Sequence, residues 1–294
     1  ARAEWDAVRD LDAVVVQWHE AAYPALLRTL PDAPVLLYCL GDLSLLANPA
    51  VAVIGSRKAT PRGQALAGHM AGAFSSWGIT VVSGMAWGID KAAHEAALGR
   101  AGSSIAVLGT GIDVPYPRAN TRLYDRMAAK GLLVSEFAPG TPALRENFPV
   151  RNRIISGLSL GVVVVEAASR SGTLITSRLA LEQGREVYAV PGRITDSGSR
   201  GCNGLIRMGA VCVTQVEDIL DEMGINRAES KAFNKNLLAP AEKKVYSCVR
   251  LESRHIDDIC FETGISVSEV TQILYELEQK RLIKQLVRNY YVRA

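Results

Sequence analysis

The stretch Val51-Ala-Val-Ile54, followed by Gly55-Ser-Arg-Lys-Ala-Thr-Pro-Arg-Gly63, decides the fold of this chain. Four consecutive apolar residues are typical of a strand that is buried on both faces of a parallel sheet. The glycines, the proline and the small polar residues after them indicate a turn. A helix is predicted from Gln64 to Trp77. This part of the chain is therefore predicted to form one strand–turn–helix unit.

The same alternation continues along the chain. Further strands are predicted at Ile79–Ser83, Ser104–Leu108, Leu132–Ser135, Val162–Val165, Val187–Val190 and Ala210–Val213, and further helices at 91–100, 120–130 and 174–184. Alternating strands and helices predict an α/β fold with a mostly parallel, doubly wound sheet. Right-handed crossovers leave the carboxyl ends of the strands on one rim, which is where open α/β sheets bind ligands.

Small residues follow most of the predicted strands. They form the segments Gly55-Ser-Arg57, Ser83-Gly84, Gly109-Thr-Gly111, Ser135-Glu136, Ser171-Gly-Thr173 and Pro191-Gly192. Each segment alone is explained by a tight turn between a strand and a helix. Six of them at corresponding positions on one rim favour a site where backbone N–H groups approach a phosphate.

A second informative stretch is Glu146-Asn-Phe-Pro-Val-Arg-Asn-Arg-Ile-Ile-Ser156, predicted as a loop that leads into a short helical segment. Phe148 offers an aromatic face, Arg151 and Arg153 offer guanidinium groups, and Asn152 offers an amide. These are the components of an anion or nucleotide site. The alternative is a solvated loop that caps a helix.

Other residues on the predicted rim fit a polyanion better than a small substrate. Arg57, Arg145 and Arg170 add positive charge, and Tyr116 adds a second aromatic face. A cationic groove with aromatic side chains is how proteins hold single-stranded nucleic acid. The rim also carries the carboxylates of Asp90, Glu136 and Glu166, for which capping helices or orienting arginines is favoured over acid–base chemistry. The alternative to nucleic-acid contacts for Asn152 and Arg153 is that they hold the shape of the loop by pairing with Glu136 or Glu166.

The remaining regions are predicted from composition and pattern. Residues 1–45 are expected to form a small separate extension, 46–224 the α/β domain and 225–238 a linker. Residues 239–294 carry helices at 241–250, 253–263 and 267–279 and a hairpin around Asn289, which predicts a winged helix. Its third helix is acidic, with Lys280 and Arg281 only at its end. This favours a protein-interaction or auxiliary role over tight duplex binding.

Composition excludes several classes of protein. The chain has 294 residues, 48% of them hydrophobic, and a formal net charge of only +3, so any nucleic-acid site must be a local patch. No apolar run reaches the roughly 20 residues that span a bilayer, and no signal peptide is recognisable, so no membrane association is expected. Five cysteines without a C-x-x-C pair, all but Cys202 in largely apolar surroundings, indicate buried thiols in a reducing cytoplasm.

Common catalytic motifs are missing from the sequence. It contains no G-x-G-x-x-G after the first strand, no P-loop and no G-x-S-x-G, and its four histidines do not cluster with cysteines at zinc-ligand spacing. We therefore predict no cofactor, no metal and no catalytic residue.

Several of these motifs together closely resemble the DNA-processing protein A (DprA, Smf) family. They are Gly55-Ser-Arg57, Ser83-Gly-Met-Ala-Trp-Gly-Ile-Asp90, Gly109-Thr-Gly111, Phe148-Pro-Val-Arg-Asn-Arg-Ile-Ile-Ser156, Ser171-Gly-Thr-Leu-Ile-Thr176 and Pro191-Gly192. The resemblance covers about residues 20–220 and extends to the winged helix. It implies an extended Rossmann-like fold and no established enzymatic activity. The sterile-alpha-motif-like domain that begins many members is expected to be largely missing, with only its last part in residues 1–20.

The resemblance also implies a function. Members bind single-stranded DNA during natural transformation, protect it, load RecA recombinase onto it, and form homodimers through the Rossmann domain. Their DNA pocket uses residues that correspond to Arg57, Arg145 and Phe148; some relatives carry lysine at the position of Arg145, which keeps the charge. The predicted DNA-binding residues are Ser56, Arg57, Gly84, Gly111, Arg145, Phe148, Arg151, Asn152, Arg153, Ser171, Gly172 and Thr173.

Two alternatives stay open at this point. The first is an enzyme on a related sheet, like the nucleoside-monophosphate phosphoribohydrolases. Their P-G-G-x-G-T-x-x-E motif is not matched by Ser169-Arg-Ser-Gly-Thr-Leu-Ile-Thr176, which lacks the Pro-Gly-Gly and the glutamate. The second is a winged-helix transcription regulator with a ligand-sensing α/β domain.

Overall fold

The apolar run at Val51–Ile54 lies in a buried strand near the middle of a large sheet. The structure is a computed structural model that describes residues 2–223, 240–249, 254–279, 283–287 and 289–293. The chain divides into two units, Ala1–Gly224 and Ile225–Ala294, which are described separately below.

The described part of the first unit alternates strands and helices. Its strands are β1 (Val14–Gln17), β2 (Leu36–Gly41), β3 (Ala50–Ile54), β4 (Thr80–Ser83), β5 (Ser104–Val107), β6 (Leu132–Ser135), β7 (Gly161–Val164), β8 (Glu186–Ala189) and β9 (Val211–Cys212). Its α-helices are α1 (Arg2–Asp10), α2 (Ala25–Arg28), α3 (Pro61–Ser76), α4 (Ile89–Ala97), α5 (Thr121–Lys130), α6 (Asn147–Gly157), α7 (Thr173–Glu182), α8 (Arg200–Arg207) and α9 (Val216–Glu222), and short 3-10 helices lie at Leu43–Ala47, Arg118–Asn120 and Ser197–Ser199.

The strands form one sheet in the order β1-β2-β6-β5-β4-β3-β7-β8-β9. All neighbours from β6 to β9 are parallel, whereas β1 and β2 are antiparallel to their neighbours. The predicted mostly parallel α/β sheet is confirmed. The chain builds outward from β3 in one direction through β4, β5 and β6, and then restarts on the other side of β3 with β7. A crevice opens where the strand order reverses in this way, and it is the preferred ligand site of such sheets.

Burial of the strands explains why short apolar runs were enough to predict them. Every residue of β3, β4, β5, β6 and β7 is buried. Both faces of the sheet are covered by helices, so these strands need apolar side chains at every position rather than at alternate ones. This packing fixes the carboxyl ends of the central strands, from which the site loops start.

The predicted separation of residues 1–45 is wrong. β2 pairs with β6, with Tyr38 opposite Ser135 and Leu40 opposite Leu133, so this segment extends the main sheet. Leu27 is also fully buried in the same core as β3. β2 is an antiparallel strand added to the edge of the parallel part of the sheet.

Some elements were missed or misplaced by the sequence patterns. α8 and α9 were not predicted. α3 begins at Pro61 rather than Gln64, because Thr60 Oγ1 accepts a hydrogen bond from the Gly63 N–H and proline is well suited to the first helical turn.

The second unit is a winged helix, as predicted. Its described elements are α10 (Pro240–Cys248), β10 (Arg254–His255), α11 (Ile256–Thr263), α12 (Val267–Gln279), β11 (Ile283–Val287) and β12 (Tyr290–Arg293), with the strand order β10-β12-β11. Val245, Ile259 and Leu274 are completely buried in its core. The hairpin turns at Asn289, whose φ of 67° is a left-handed conformation that asparagine tolerates. The predicted linker 225–238, Lys280 and Arg281 lie outside the described residues.

The described residues contain neither a membrane-spanning candidate nor a metal cluster. No helix among them has the length and apolar character needed to cross a bilayer. Nor do they contain a group of three or more His, Cys, Asp or Glu side chains arranged to hold a metal ion. The five cysteines are free thiols, of which Cys202 is buried and Cys212 is exposed. The sequence had suggested the reverse for these two cysteines.

Candidate nucleic-acid interface

A cleft of about 750 Å³ opens at the carboxyl ends of β3 and β7, where the strand order reverses. It is lined by the loop after β3, by α6 and by the N-terminal end of α7. Its lining includes Ser56, Arg57, Lys58, Ala86, Asp90, Tyr116, Arg145, Phe148, Arg151, Asn152, Ser171, Gly172, Thr173 and Thr176. The cleft is therefore built at the place where the sheet topology favours ligand binding.

The loop after β3 is held in place by the end of β7. The Ser56 N–H donates to the Glu166 carbonyl oxygen at 2.8 Å, and the Thr60 N–H donates to Glu166 Oε2 at 2.9 Å. The Thr60 hydroxyl also donates to Glu166 Oε1. Glu166 thus ties the start of α3 to the sheet and leaves Arg57 and Lys58 exposed at the cleft.

The stretch Glu146–Ser156, predicted as a loop, is mostly helix. α6 runs from Asn147 to Gly157 and contains every basic and aromatic residue of the stretch. Pro149 suggested a loop, but a proline in the first turn of a helix removes no intrahelical hydrogen bond. Phe148 and Arg151 are three residues apart, so they project from the same face of α6 toward the cleft.

Phe148 lies at the centre of a cluster of rings and cations. The Tyr116 ring centroid is 5.3 Å from that of Phe148, with the planes tilted by 39°. The guanidinium carbon of Arg57 is 5.7 Å from the Phe148 centroid, and that of Arg151 is 6.0 Å away. A Cβ at Gly109 would lie 2.8 Å from the Phe148 ring, so the glycine at the end of β5 makes the space for this ring.

Arg151 lines the cleft but is committed to the protein. It is only 4% exposed, and its guanidinium donates to the carbonyl oxygens of Gly84 and Val107 at the ends of β4 and β5. Asp90, 7% exposed, accepts from the N–H groups of Gly84 and Ala86. Burial raises the pKa of Asp90 and lowers that of Arg151 to about 10, and each charge opposes the shift of the other. The two are buried opposite charges close to each other beside Gly84, and the hydrogen bonds of Arg151 join α6 to the sheet.

His94 is a further buried residue that holds the turn after β4 in place. It is fully buried, its Nδ1 lies 2.7 Å from Ser104 Oγ, and its Nε2 accepts from the Met85 N–H at 3.3 Å. Ser104 donates its own proton to the Val81 carbonyl oxygen, so its oxygen accepts from His94 Nδ1. This arrangement needs a neutral imidazole. Burial, assisted by the Arg151 charge, lowers the pKa of His94 to about 3.

The cleft brings together nine of the twelve predicted DNA-binding residues. Gly84, Gly111 and Arg153 are not among its lining residues. Arg153 is paired with Glu136, at 2.6 Å, and with Asp32, at 3.1 Å. The sequence favoured a structural role for the rim carboxylates over acid–base chemistry. Asp90, Glu136 and Glu166 all make structural contacts.

Sequence reasoning missed Lys58 as a site residue. Its place in the loop after β3, next to Arg57, was the available signal. Glu136 was predicted as a possible partner of Arg153, whereas its second partner, Asp32, was missed. The partners of Arg151 were also missed, because they come from strand ends that are distant in the sequence.

Gly84 supports the site by leaving room for Arg151. A Cβ at this position would lie 2.6 Å from a guanidinium nitrogen of Arg151 and 2.9 Å from Asp90 Oδ2. We expect Gly84→Ala to lower the free energy of unfolding by about 1–3 kcal/mol, because both groups are buried and have no free space. Urea unfolding measures this. Gly204→Ala is the control, because its Cβ meets nothing within 4 Å and the change should be neutral or stabilising; equal losses in the two variants would contradict the argument.

Comparison with known proteins identifies the family. The family model described as DNA recombination-mediator protein A matches residues 14–224, which is more than half of the chain. The chain belongs to this DprA family. The model of the DprA winged helix domain matches residues 229–287, so both units have counterparts in the DprA family.

Relatives agree with the family match. The chain is 49% identical over 200 residues to DNA processing protein DprA of Streptococcus pneumoniae, covering 68% of this chain and 71% of that protein. It is 42% identical over 266 residues to protein Smf of Escherichia coli, covering 87% and 71%.

Solved DprA structures have the same fold. The crystal structure of the S. pneumoniae protein matches with a TM-score of 0.68 and 47% identity, covering 71% of this chain and 74% of that one. A DprA structure from Helicobacter pylori, described as giving insight into that protein's single-stranded DNA binding mode, matches with a TM-score of 0.65 and 29% identity, covering 72% and 95%. The matched family is described as a recombination mediator. This description supports neither the phosphoribohydrolase alternative nor the transcription-regulator alternative.

Proposed function

We propose that this chain is a recombination mediator that binds single-stranded DNA in the cleft at the carboxyl ends of β3 and β7. The observation that carries the proposal is the Phe148 ring in an open cleft, with the Tyr116 ring on one side and the Arg57 guanidinium within 6 Å. Aromatic rings stack on bases of any sequence, and nearby cations bind the phosphates between them.

The cations at the mouth of the cleft are available to a ligand. Arg57, Lys58 and Arg145 are exposed, and within the described residues none of their side chains makes an ion pair or a hydrogen bond. Arg151, by contrast, is buried and bonded to two carbonyl oxygens. We therefore assign phosphate contacts to the three exposed residues and a positioning role to Arg151.

The N-terminal end of α7 adds a further anion-binding element. Ser171, Gly172 and Thr173 line the cleft at the point where this helix begins. The positive end of a helix dipole and small residues without bulky side chains favour close approach of a phosphate. The helix end and the arginines face the same cleft, so one strand of DNA can contact both.

Stacking on Phe148 gives Arg57 a second role. In the structure the Arg57 guanidinium lies near the Phe148 ring and takes part in a cation–π contact. A base that stacks on this ring would displace the guanidinium toward the adjacent phosphate. Arg57 would then exchange its cation–π contact with Phe148 for a contact with a phosphate. This exchange lowers the free-energy cost of exposing the ring face to a base.

We expect Phe148→Ala to weaken the binding of a single-stranded oligonucleotide by about 5- to 150-fold, the effect of losing one stacked base. Arg57→Ala should also weaken binding and should reduce the slope of log K against log salt by about 0.7, the contribution of one phosphate contact. Fluorescence anisotropy over a series of salt concentrations measures both. Arg62→Ala is the matched control, since Arg62 is exposed on α3 and lies outside the cleft lining. Wild-type affinity in both site variants would rule out this cleft as the DNA site.

The finer parts of the function follow from the family resemblance. We propose that the chain acts in the cytoplasm as a homodimer formed through its Rossmann-like domain, protects incoming DNA during natural transformation and loads RecA recombinase onto it. RecA filament assembly on DNA already coated with single-strand-binding protein tests the loading step. Failure to accelerate assembly would exclude it, and nuclease digestion of bound oligonucleotides tests protection separately.

The winged helix is proposed to be auxiliary to this activity. The described part of α12 carries Glu269, Glu276 and Glu278, and Glu278 accepts a hydrogen bond from the Gln285 N–H. An acidic helix repels the phosphates of a major groove. Competition between single-stranded and duplex oligonucleotides distinguishes this role from that of a duplex-binding regulator.

A further inference from the structure

A second basic cleft, of about 640 Å³, lies between α4 and the start of α5. Lys91, Arg118, Arg122 and Arg126 line it, together with Asn120 and one acidic residue, Glu95. Lys91 Nζ lies 3.9 Å from Glu95 Oε1. The three arginines therefore dominate the charge of this cleft.

The arginines are not needed for any contact within the described part of the chain. All three are exposed, and none makes an ion pair or a side-chain hydrogen bond with a described residue. Arg122 and Arg126 lie four residues apart on α5, so they are separated by about 6 Å along the helix axis, and Arg118 lies in the 3-10 helix that precedes α5. Like charges at this spacing destabilise a helix slightly. Packing gives no reason for such a series of cations, whereas a bound polyanion does.

The second cleft adjoins the first. Asp90 lines the first cleft, and the next residue, Lys91, lines the second. Tyr116 likewise lines the first cleft, and Arg118, two residues later, lines the second. The Asn120 amide, in the second cleft, donates to the Met85 carbonyl oxygen at 2.8 Å, beside Ala86 of the first.

The segment that passes from one cleft to the other also carries an exposed aromatic ring. Trp87 lies between Ala86 and Lys91 in the sequence and is 53% exposed. Tyr116, at the edge of the first cleft, is 41% exposed. Exposed rings between two groups of cations are the arrangement by which proteins hold a single strand along its length.

We propose that the second cleft binds the sugar–phosphate backbone of the same single strand after it leaves the Phe148 cleft. The occupant is the continuing strand, because a series of cations along α5 and the segment before it matches a linear series of phosphates and because this cleft adjoins the proposed DNA site. The inference rests on the proposed function, since it needs a strand bound in the first cleft. It predicts a binding site longer than the first cleft alone.

The test compares two lengths of oligothymidine, about six and about twenty nucleotides, within the range of single-strand binding sites and beyond it. We expect the triple variant Arg118→Ala/Arg122→Ala/Arg126→Ala to bind the long oligonucleotide about tenfold or more weakly, with a salt slope smaller by roughly 2, because three phosphate contacts are lost. It should bind the short one with unchanged affinity, which also shows that it is folded. The corresponding triple Arg→Lys variant should keep most of the affinity for the long oligonucleotide.

Matched single variants distinguish a phosphate contact in the second cleft from the general electrostatic attraction between DNA and any positive charge on the protein surface. Lys130 is exposed at the end of the same helix but does not line the cleft, so Lys130→Ala should weaken long-oligonucleotide binding less than Arg122→Ala does. Unchanged binding of the long oligonucleotide by the triple variant would overturn the proposal, as would equal losses for both lengths. Wild-type protein that binds neither length would instead overturn the proposed function itself.

Discussion

Replacing Arg151 with methionine is expected to lower the free energy of unfolding by about 3–5 kcal/mol, the usual cost of leaving a buried charge without its neighbouring opposite charge. Methionine fills similar space but donates no hydrogen bonds. The carbonyl oxygens of Gly84 and Val107 would lose their donor, and the buried Asp90 carboxylate would lose the cation that offsets its burial. Urea unfolding followed by circular dichroism measures the loss.

Two further variants identify the cause of that loss. Arg145→Met is the matched control, because Arg145 is exposed and its side chain makes no hydrogen bond or ion pair within the described residues; it should change stability by less than about 0.5 kcal/mol. Asp90→Asn keeps an acceptor for the N–H groups of Gly84 and Ala86 but removes the charge. Arg151→Met should therefore cost less in the Asp90→Asn background by at least about 1 kcal/mol. Equal costs in both backgrounds would show that the attraction between the two charges does not explain the stability.

Arg151 also illustrates what the sequence was able to predict. Its basic character and its place beside Phe148 correctly put it at the cleft; they suggested a DNA ligand, whereas we propose a positioning role from its buried contacts. Its role is decided by the ends of β4 and β5, which are more than forty residues away in the sequence. The local sequence around Arg151 does not indicate which backbone carbonyl groups at distant strand ends need a hydrogen-bond donor.

The sheet was easier to predict than its edges. β3 to β7 are buried on both faces, so their apolar runs were sufficient to locate them. β2 has a mixed burial pattern and proline residues before it, and its membership of the sheet depends on pairing with β6, far along the chain. Pro149 similarly hid the start of α6, because its tolerance depends on lying in the first turn of that helix.

The protein is expected to lose stability below neutral pH because of His94. The pKa of this buried imidazole is lowered from 6.5 to about 3, so its contribution to stability is complete above pH 6.5 and is lost as the pH falls toward 3. One pKa unit corresponds to about 1.4 kcal/mol, so the loss from this group between pH 7 and pH 5 is about 2 kcal/mol. Urea unfolding at a series of pH values measures it, and His94→Gln should remove about that much of the pH dependence.

The structural reason is that protonation leaves Nε2 unable to accept from the Met85 N–H, while Arg151 adds like charge nearby. Met85 has a φ of 60°, in the left-handed region, and precedes Ala86 at the first cleft. The strained turn therefore depends on a neutral His94. Replacing the exposed His69 with glutamine is the control and should leave the pH dependence unchanged. If His94→Gln and wild type lose stability in parallel between pH 7 and pH 5, the imidazole does not carry the effect and the turn is held by other contacts.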